Sequence, residues 1–182
     1  MVRIRSKLFQ RIRVPLGFIF AVVAMIFARP TPLLIATGVS IGLVGVAIRA
    51  WSSGHIQKNK ALAFSGPYAF TRNPLYLGSA IMGIGLTIAT GVWWLTLLFV
   101  ALFLGIYFPV MSVEADELTE IFGEDYKRYS KAVPLFFPWR RRGFETNQKF
   151  EMDLYMRYRE YRVLVGFAAI VVVLIFKAYL YN

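Results

Sequence analysis

The sequence predicts an all-α protein, a polytopic membrane helix bundle of about five transmembrane helices with a cytosolic pocket. Three observations carry this expectation. Of 182 residues, 58% are hydrophobic and only 17% charged, whereas a soluble domain has about a quarter of its residues charged. Uncharged runs over 14–28, 30–48, 73–113 and 163–176 separate the charges into a few polar segments. Lysine and arginine gather in alternate polar segments, as they do in short cytosolic loops.

The elements follow in order. The first uncharged run, 14–28, has 15 residues, short of the roughly 20 that cross a bilayer. Arg29 and two prolines turn the chain into the second run, 30–48, giving a helical hairpin. The 41 residues of 73–113 are too many for one span, and Ala89, Thr90 and Gly91 break them near the middle into a second hairpin. The last span covers 163–176 and reaches about Tyr181 if Lys177 extends its ammonium to the interface. Ala28-Arg29-Pro30 offers no small-residue cleavage site, so the first span is expected to be retained. The whole chain, 1–182, reads as a single domain with a motif-bearing core at about 50–139 and an extra transmembrane helix at about 161–181.

Orientation comes from the basic residues. Arg3, Arg5, Lys7, Arg11 and Arg13 precede the first span, Lys58, Lys60 and Arg72 lie between the second and third, and ten more fall within 114–162. These segments are expected to be cytosolic, leaving Arg29 and Lys177 on the other side. The net charge of +11 then reflects topology and attraction to anionic membrane lipids. Nucleic acid is not an expected partner, since neither a basic helix face nor a stacking module accompanies the charge. With no cysteine and one histidine, disulfides, thiolate metal sites, cysteine nucleophiles and multi-histidine metal cages are excluded.

The residues capable of chemistry lie in two segments, 52–74 and 113–160. In the first, Ser65-Gly66-Pro67 marks a turn, and Pro74 suits the first position of a helix whose N-terminal dipole, beside Arg72, favours an anion. In the second, Glu114, Leu118 and Phe122 recur at spacing four, placing them on one helix face that Gly123 can end. A carboxylate at the mouth of a span is costly unless paired, so Glu114 is expected to meet a cation.

Gly66-Pro67-Tyr68, Arg72-Asn73-Pro74-Leu75-Tyr76-Leu77-Gly78 and the later Glu114-x-x-x-Leu118-x-x-x-Phe122-Gly123-x-x-Tyr126-x-x-Tyr129-x-x-x-Val133-Pro134 resemble the isoprenylcysteine carboxyl methyltransferase and phospholipid methyltransferase superfamily. The resemblance implies an integral membrane enzyme that takes its methyl group from S-adenosylmethionine and admits a lipophilic or prenylated acceptor from the bilayer. It implies a cofactor pocket formed by His55, Gln57, Lys60, Ala61, Leu62, Ala63, Tyr68, Asn73, Pro74, Leu75, Tyr76 and Glu114, with Glu114, Arg72 and Asn73 at the reacting centre. Asn73 stands where many members have histidine, a variant associated with bacterial members, which points to a bacterial inner membrane. Val110 and Leu135 replace arginines of the isoprenylcysteine enzymes, which weakens the case for a prenylcysteine carboxylate, although Arg140, Arg141 or Arg142 could substitute.

Transfer of a methyl group from a sulfonium is an in-line displacement that demands alignment and exclusion of water more than acid–base machinery. A carboxylate acceptor is already ionised at pH 7 and needs no base, which favours carboxyl O-methylation of an isoprenylcysteine-like substrate. N-methylation of a phospholipid amine is the alternative, with Glu117, Asp116 or His55 as base. A small transporter or assembly subunit is the non-enzymatic rival. A transporter is expected to carry ionisable residues near the bilayer midplane, and the uncharged runs hold none.

Overall fold

The computed structural model describes residues 2–56, 61–138 and 149–181, and among them the chain is all-helical. Helix α1 spans Val2–Phe27, α2 Pro32–Ser53, α3 Pro74–Ala89, α4 Trp93–Ala132, α5 Met152–Arg157 and α6 Tyr161–Tyr181, with a 3₁₀ turn at Gly66–Ala69. Three of these, α2, α4 and α6, are long and apolar enough to cross a membrane. The apolar part of α1, Pro15–Phe27, and all of α3 are shorter. The five expected spans are thus present as apolar helices, two of them below full crossing length.

Local sequence explains the boundaries. Thr31 caps α2, its hydroxyl accepting from the Leu34 N–H at 3.4 Å, and Pro32 follows at the first helical position. Pro74 opens α3, and the chain turns into α4 through Gly91 at φ 75°. Helix α4 runs on past the apolar segment, broken only at Gly123, whose φ of 56° is a left-handed conformation that glycine adopts without strain. Helix α2 continues beyond Ile48, so Arg49 lies within it and an apolar helix does carry an ionisable group near its end.

Helices α2 and α3 pack backbone to backbone. A Cβ added at Gly38 would collide with the carbonyl of Gly85 and with Ala89, and one at Gly45 would collide with Gly78 and Met82. Removing side chains from this seam lets two helices approach closely inside a membrane. At one end of the bundle Ala28, Ile35, Ala89, Leu174 and Ala178 form a core that joins α1, α2, α3 and α6. The Lys177 ammonium donates to the carbonyls of Met25 and Ile26, closing the C-terminal turn of α1. Toward the other end, Ala80, Phe103, Met111 and Phe136 form a second core under the polar segments.

Candidate active site

The two motif segments are tied together by the return after α4. The Arg72 N–H donates to the Pro134 carbonyl at 2.9 Å, and the Asn73 amide donates to the Leu135 carbonyl at 3.0 Å. Tyr129 donates to the Tyr68 carbonyl at 2.7 Å, so the second half of α4 clamps the 3₁₀ turn. Tyr126, Tyr129 and Val133 are buried against Leu62, Phe64, Leu118 and Phe122. Asn73 sits at the cap position of α3 but makes no side-chain cap there, because its amide holds the return instead.

Between these segments lies a cavity of about 520 Å³, within the range of about 300–1,000 Å³ typical of small-molecule sites. It is lined by Ala61, Leu62, Ala63, Tyr68, Arg72, Asn73, Pro74, Leu75, Tyr76 and Glu114. Every described residue of the expected pocket except His55 therefore meets at one place; Gln57 and Lys60 lie outside the described residues. Arg140, Arg141 and Arg142 also lie outside them.

Within the cavity Glu114 accepts a 2.7 Å hydrogen bond from the Tyr76 hydroxyl, while the Tyr76 ring meets Tyr107 edge-on at 5.2 Å. One carboxylate is thus oriented by a phenol that is itself held by an aromatic neighbour. Arg72 donates from one terminal nitrogen to the Tyr126 hydroxyl at 3.3 Å. Among the described residues, the Arg72 Nε and the Tyr68 hydroxyl are buried without a hydrogen-bond partner. Buried polar groups of native proteins are nearly always satisfied, so such a pair on residues that line a cavity points to a ligand there. Burial raises the Tyr68 hydroxyl pKa far above its usual range, so it is a donor and not a base.

His55 stands apart. Its Nδ1 lies 2.9 Å from the Ser65 hydroxyl, and Trp51 and Phe150 meet its ring edge-on. Desolvation lowers its pKa below 6.5 despite the opposing charge of Glu151. Of the three candidate bases, only Glu117 lines the cavity.

Among the lining residues that sequence reasoning missed, two are charged. Arg49, on α2, and Glu160, on the turn into α6, form a bidentate ion pair at 2.8–3.2 Å. Arg49 also donates to the Leu75 carbonyl at 3.3 Å and to the Ser79 hydroxyl. The end of an uncharged run was the available signal for Arg49; nothing local distinguished Glu160 from its charged neighbours. Among the described residues no group of three or more histidine, aspartate and glutamate side chains could hold a metal ion.

Apolar helices around a polar, ligand-sized cavity at one end define a membrane-embedded binding or catalytic protein of the polytopic helical class. The chain belongs to the phospholipid methyltransferase family, whose model matches residues 33–125, just over half of it. It is 34% identical over 113 residues to a cobalt-zinc-cadmium resistance protein of Cupriavidus metallidurans, a match over 59% of this chain and 50% of that one. It is 32% identical over 74 residues to methanethiol S-methyltransferase 1 of Bradyrhizobium diazoefficiens, covering 41% of this chain and 25% of the relative. Against the protein-S-isoprenylcysteine O-methyltransferase of Schizosaccharomyces pombe it is 32% identical over 81 residues, covering 44% of this chain and 34% of the relative. The chain thus spans a quarter to a half of the length of these curated relatives. No solved structure matches it.

Proposed function

We propose that the protein is an S-adenosylmethionine-dependent methyltransferase of a lipophilic acceptor, with carboxyl O-methylation as its reaction and the cavity on the cytosolic side of a bacterial inner membrane. The observation that carries this reading is the convergence of both motif segments on one cavity, whose lining includes a carboxylate fixed by Tyr76 and two residues, Arg72 and Tyr68, each with a buried polar atom without a partner among the described residues. Family membership supports methyl transfer, and two relatives are named as methyltransferases of a sulfur and an oxygen acceptor.

The cavity residues fit the cofactor's charges. Glu114 offers a carboxylate for an ammonium, Arg72 beside the N-terminus of α3 suits a carboxylate, and the Tyr68 hydroxyl adds a donor. When bound, the sulfonium supplies an electrophilic methyl group that passes to the acceptor oxygen as the carbon–sulfur bond breaks. The protein's part is orientation: Tyr76 fixes Glu114, Asn73 and the return after α4 fix the start of α3, and the aromatic and aliphatic walls keep water out. A carboxylate acceptor arrives ionised, so no residue need take its proton. Glu117, on the cavity wall, keeps N-methylation of a phospholipid amine as a second reading, because an amine must lose a proton.

Calorimetry on the detergent-purified protein, followed by a methylation screen of prenylcysteine, fatty-acid and aminophospholipid acceptors, tests both readings. Absence of cofactor binding at millimolar concentration by folded protein overturns the enzymatic reading; methylation confined to amines overturns O-methylation.

A further inference from the structure

The Arg49–Glu160 pair is not accounted for by the cofactor set. Its two side chains are 18% and 13% exposed and line the same cavity as Glu114. Arg49 stands on α2, within the family-matched region, whereas Glu160 comes from the segment that follows it. Arg49 packs beside Gly78 and donates to the Ser79 hydroxyl and the Leu75 carbonyl, so it borders the Asn73–Tyr76 turn expected to hold the cofactor and extends the cavity along α3 toward Ser79. Glu160 follows Arg159, a non-glycine residue at φ 56° in the tight turn before α6. Among the described residues the Glu160 carboxylate accepts only from Arg49, while the Arg49 donors also reach α3.

We propose that Arg49 is the subsite that reads an anionic headgroup on the acceptor, and that Glu160 is a built-in carboxylate occupying this fork until the acceptor's oxyanion displaces it. This rests on the reading of the cavity as the site of a lipophilic acceptor and names the chemistry that acceptor carries. The guanidinium is the planar, always charged fork that binds carboxylate or phosphate oxygens two at a time. It is anchored to α3 through Leu75 and Ser79 by donors that need not move when its carboxylate partner changes. Glu160 is mounted on a short turn between α5 and α6, and among the described residues its carboxylate has no hydrogen bond besides those to Arg49, so it is the partner that leaves. Within a low-dielectric wall neither charge is stable alone, so the exchange of one carboxylate for another leaves Arg49 paired throughout.

The full chain in nanodiscs of uncharged lipid, titrated with dodecanoate, dodecyl phosphate and the neutral dodecyl maltoside, tests this without cofactor. Glu160→Gln frees the fork and is expected to tighten an anionic probe tenfold or more; Arg49→Gln weakens it by a similar factor, and the maltoside responds to neither. The carboxylate and phosphate arms tell the two headgroups apart. The double variant R49Q/E160Q keeps a neutral hydrogen-bonded pair and is expected to bind like R49Q, which preserves the test if R49Q alone does not fold. Unchanged or weaker anion binding in E160Q, wild-type anion binding in the double variant, or equal tightening of all three probes overturns the proposal. Anion binding that responds as expected in a protein that binds no S-adenosylmethionine leaves the subsite standing and removes the methyltransferase reading instead.

Discussion

Replacing Glu114 by glutamine separates a binding carboxylate from a structural one. Glutamine keeps the volume and an oxygen that can accept from the Tyr76 hydroxyl, now at 2.7 Å, so the link between α3 and α4 survives. What is lost is the charge. A hydrogen bond to a charged group contributes about 1.5–3 kcal/mol, which for a cofactor ammonium on Glu114 corresponds to roughly 10-fold to 100-fold weaker binding. The expected result is a protein with near wild-type thermal stability, cofactor affinity reduced by that factor and turnover reduced at least as much. Calorimetry with S-adenosylmethionine and with its uncharged-sulfur product, a melting curve and a methyl-transfer assay together measure all three. Tyr76→Phe should give a smaller loss, because the carboxylate stays charged and only its aim is relaxed. Wild-type affinity and turnover in E114Q would refute the reasoning and reduce Glu114 to a helix residue at a membrane mouth.

Three further outcomes follow from the structure. Gly38→Leu puts a side chain into the Gly85 carbonyl and should destabilise by at least the 1–3 kcal/mol typical of overpacking; an unchanged melting temperature contradicts the α2–α3 seam. His55 has a folded pKa below its usual 6.5, so its contribution to stability is complete above about pH 6.5 and is lost as pH falls through the lower folded value. Melting curves across this range should show the decline in the wild type and a smaller one in His55→Gln. The chain has no cysteine, so Thr31→Cys and Asp125→Cys, both at exposed positions, can be labelled selectively; in intact cells an impermeant thiol reagent should modify the first and spare the second.

The fold was legible because its signals are long and one-dimensional. Uncharged runs, the break at Thr90 and Gly91 and the proline at 74 place the helices without any knowledge of their packing. The pocket was legible where motif residues are close in sequence or one helix face collects them, as at 72–76 and at Glu114 and Leu118. His55 is placed beside Ser65 and outside the cavity lining, a difference the sequence does not carry, because a polar loop residue looks alike whether it faces a ligand or a serine ten positions away. Arg49 and Glu160 were not legible as a pair because 111 residues separate them and only the docking of α6 beside α2 brings them together. The length of α3 was legible as well, because Pro74 and the break at Ala89–Gly91 bound it on both sides.

That length has a consequence for the membrane itself. Sixteen helical residues rise about 24 Å, less than the roughly 30 Å of a typical hydrocarbon layer. The close seam with α2 prevents α3 from gaining reach by sliding, so either the lipid thins around it or the Asn73–Tyr76 turn sits below the headgroup plane. In both cases the acyl-chain length of the host lipid sets how far an acceptor must rise or sink to meet the site. Turnover in a series of bilayers of graded thickness should therefore pass through a maximum on the thin side, which makes membrane thickness a control parameter alongside substrate concentration.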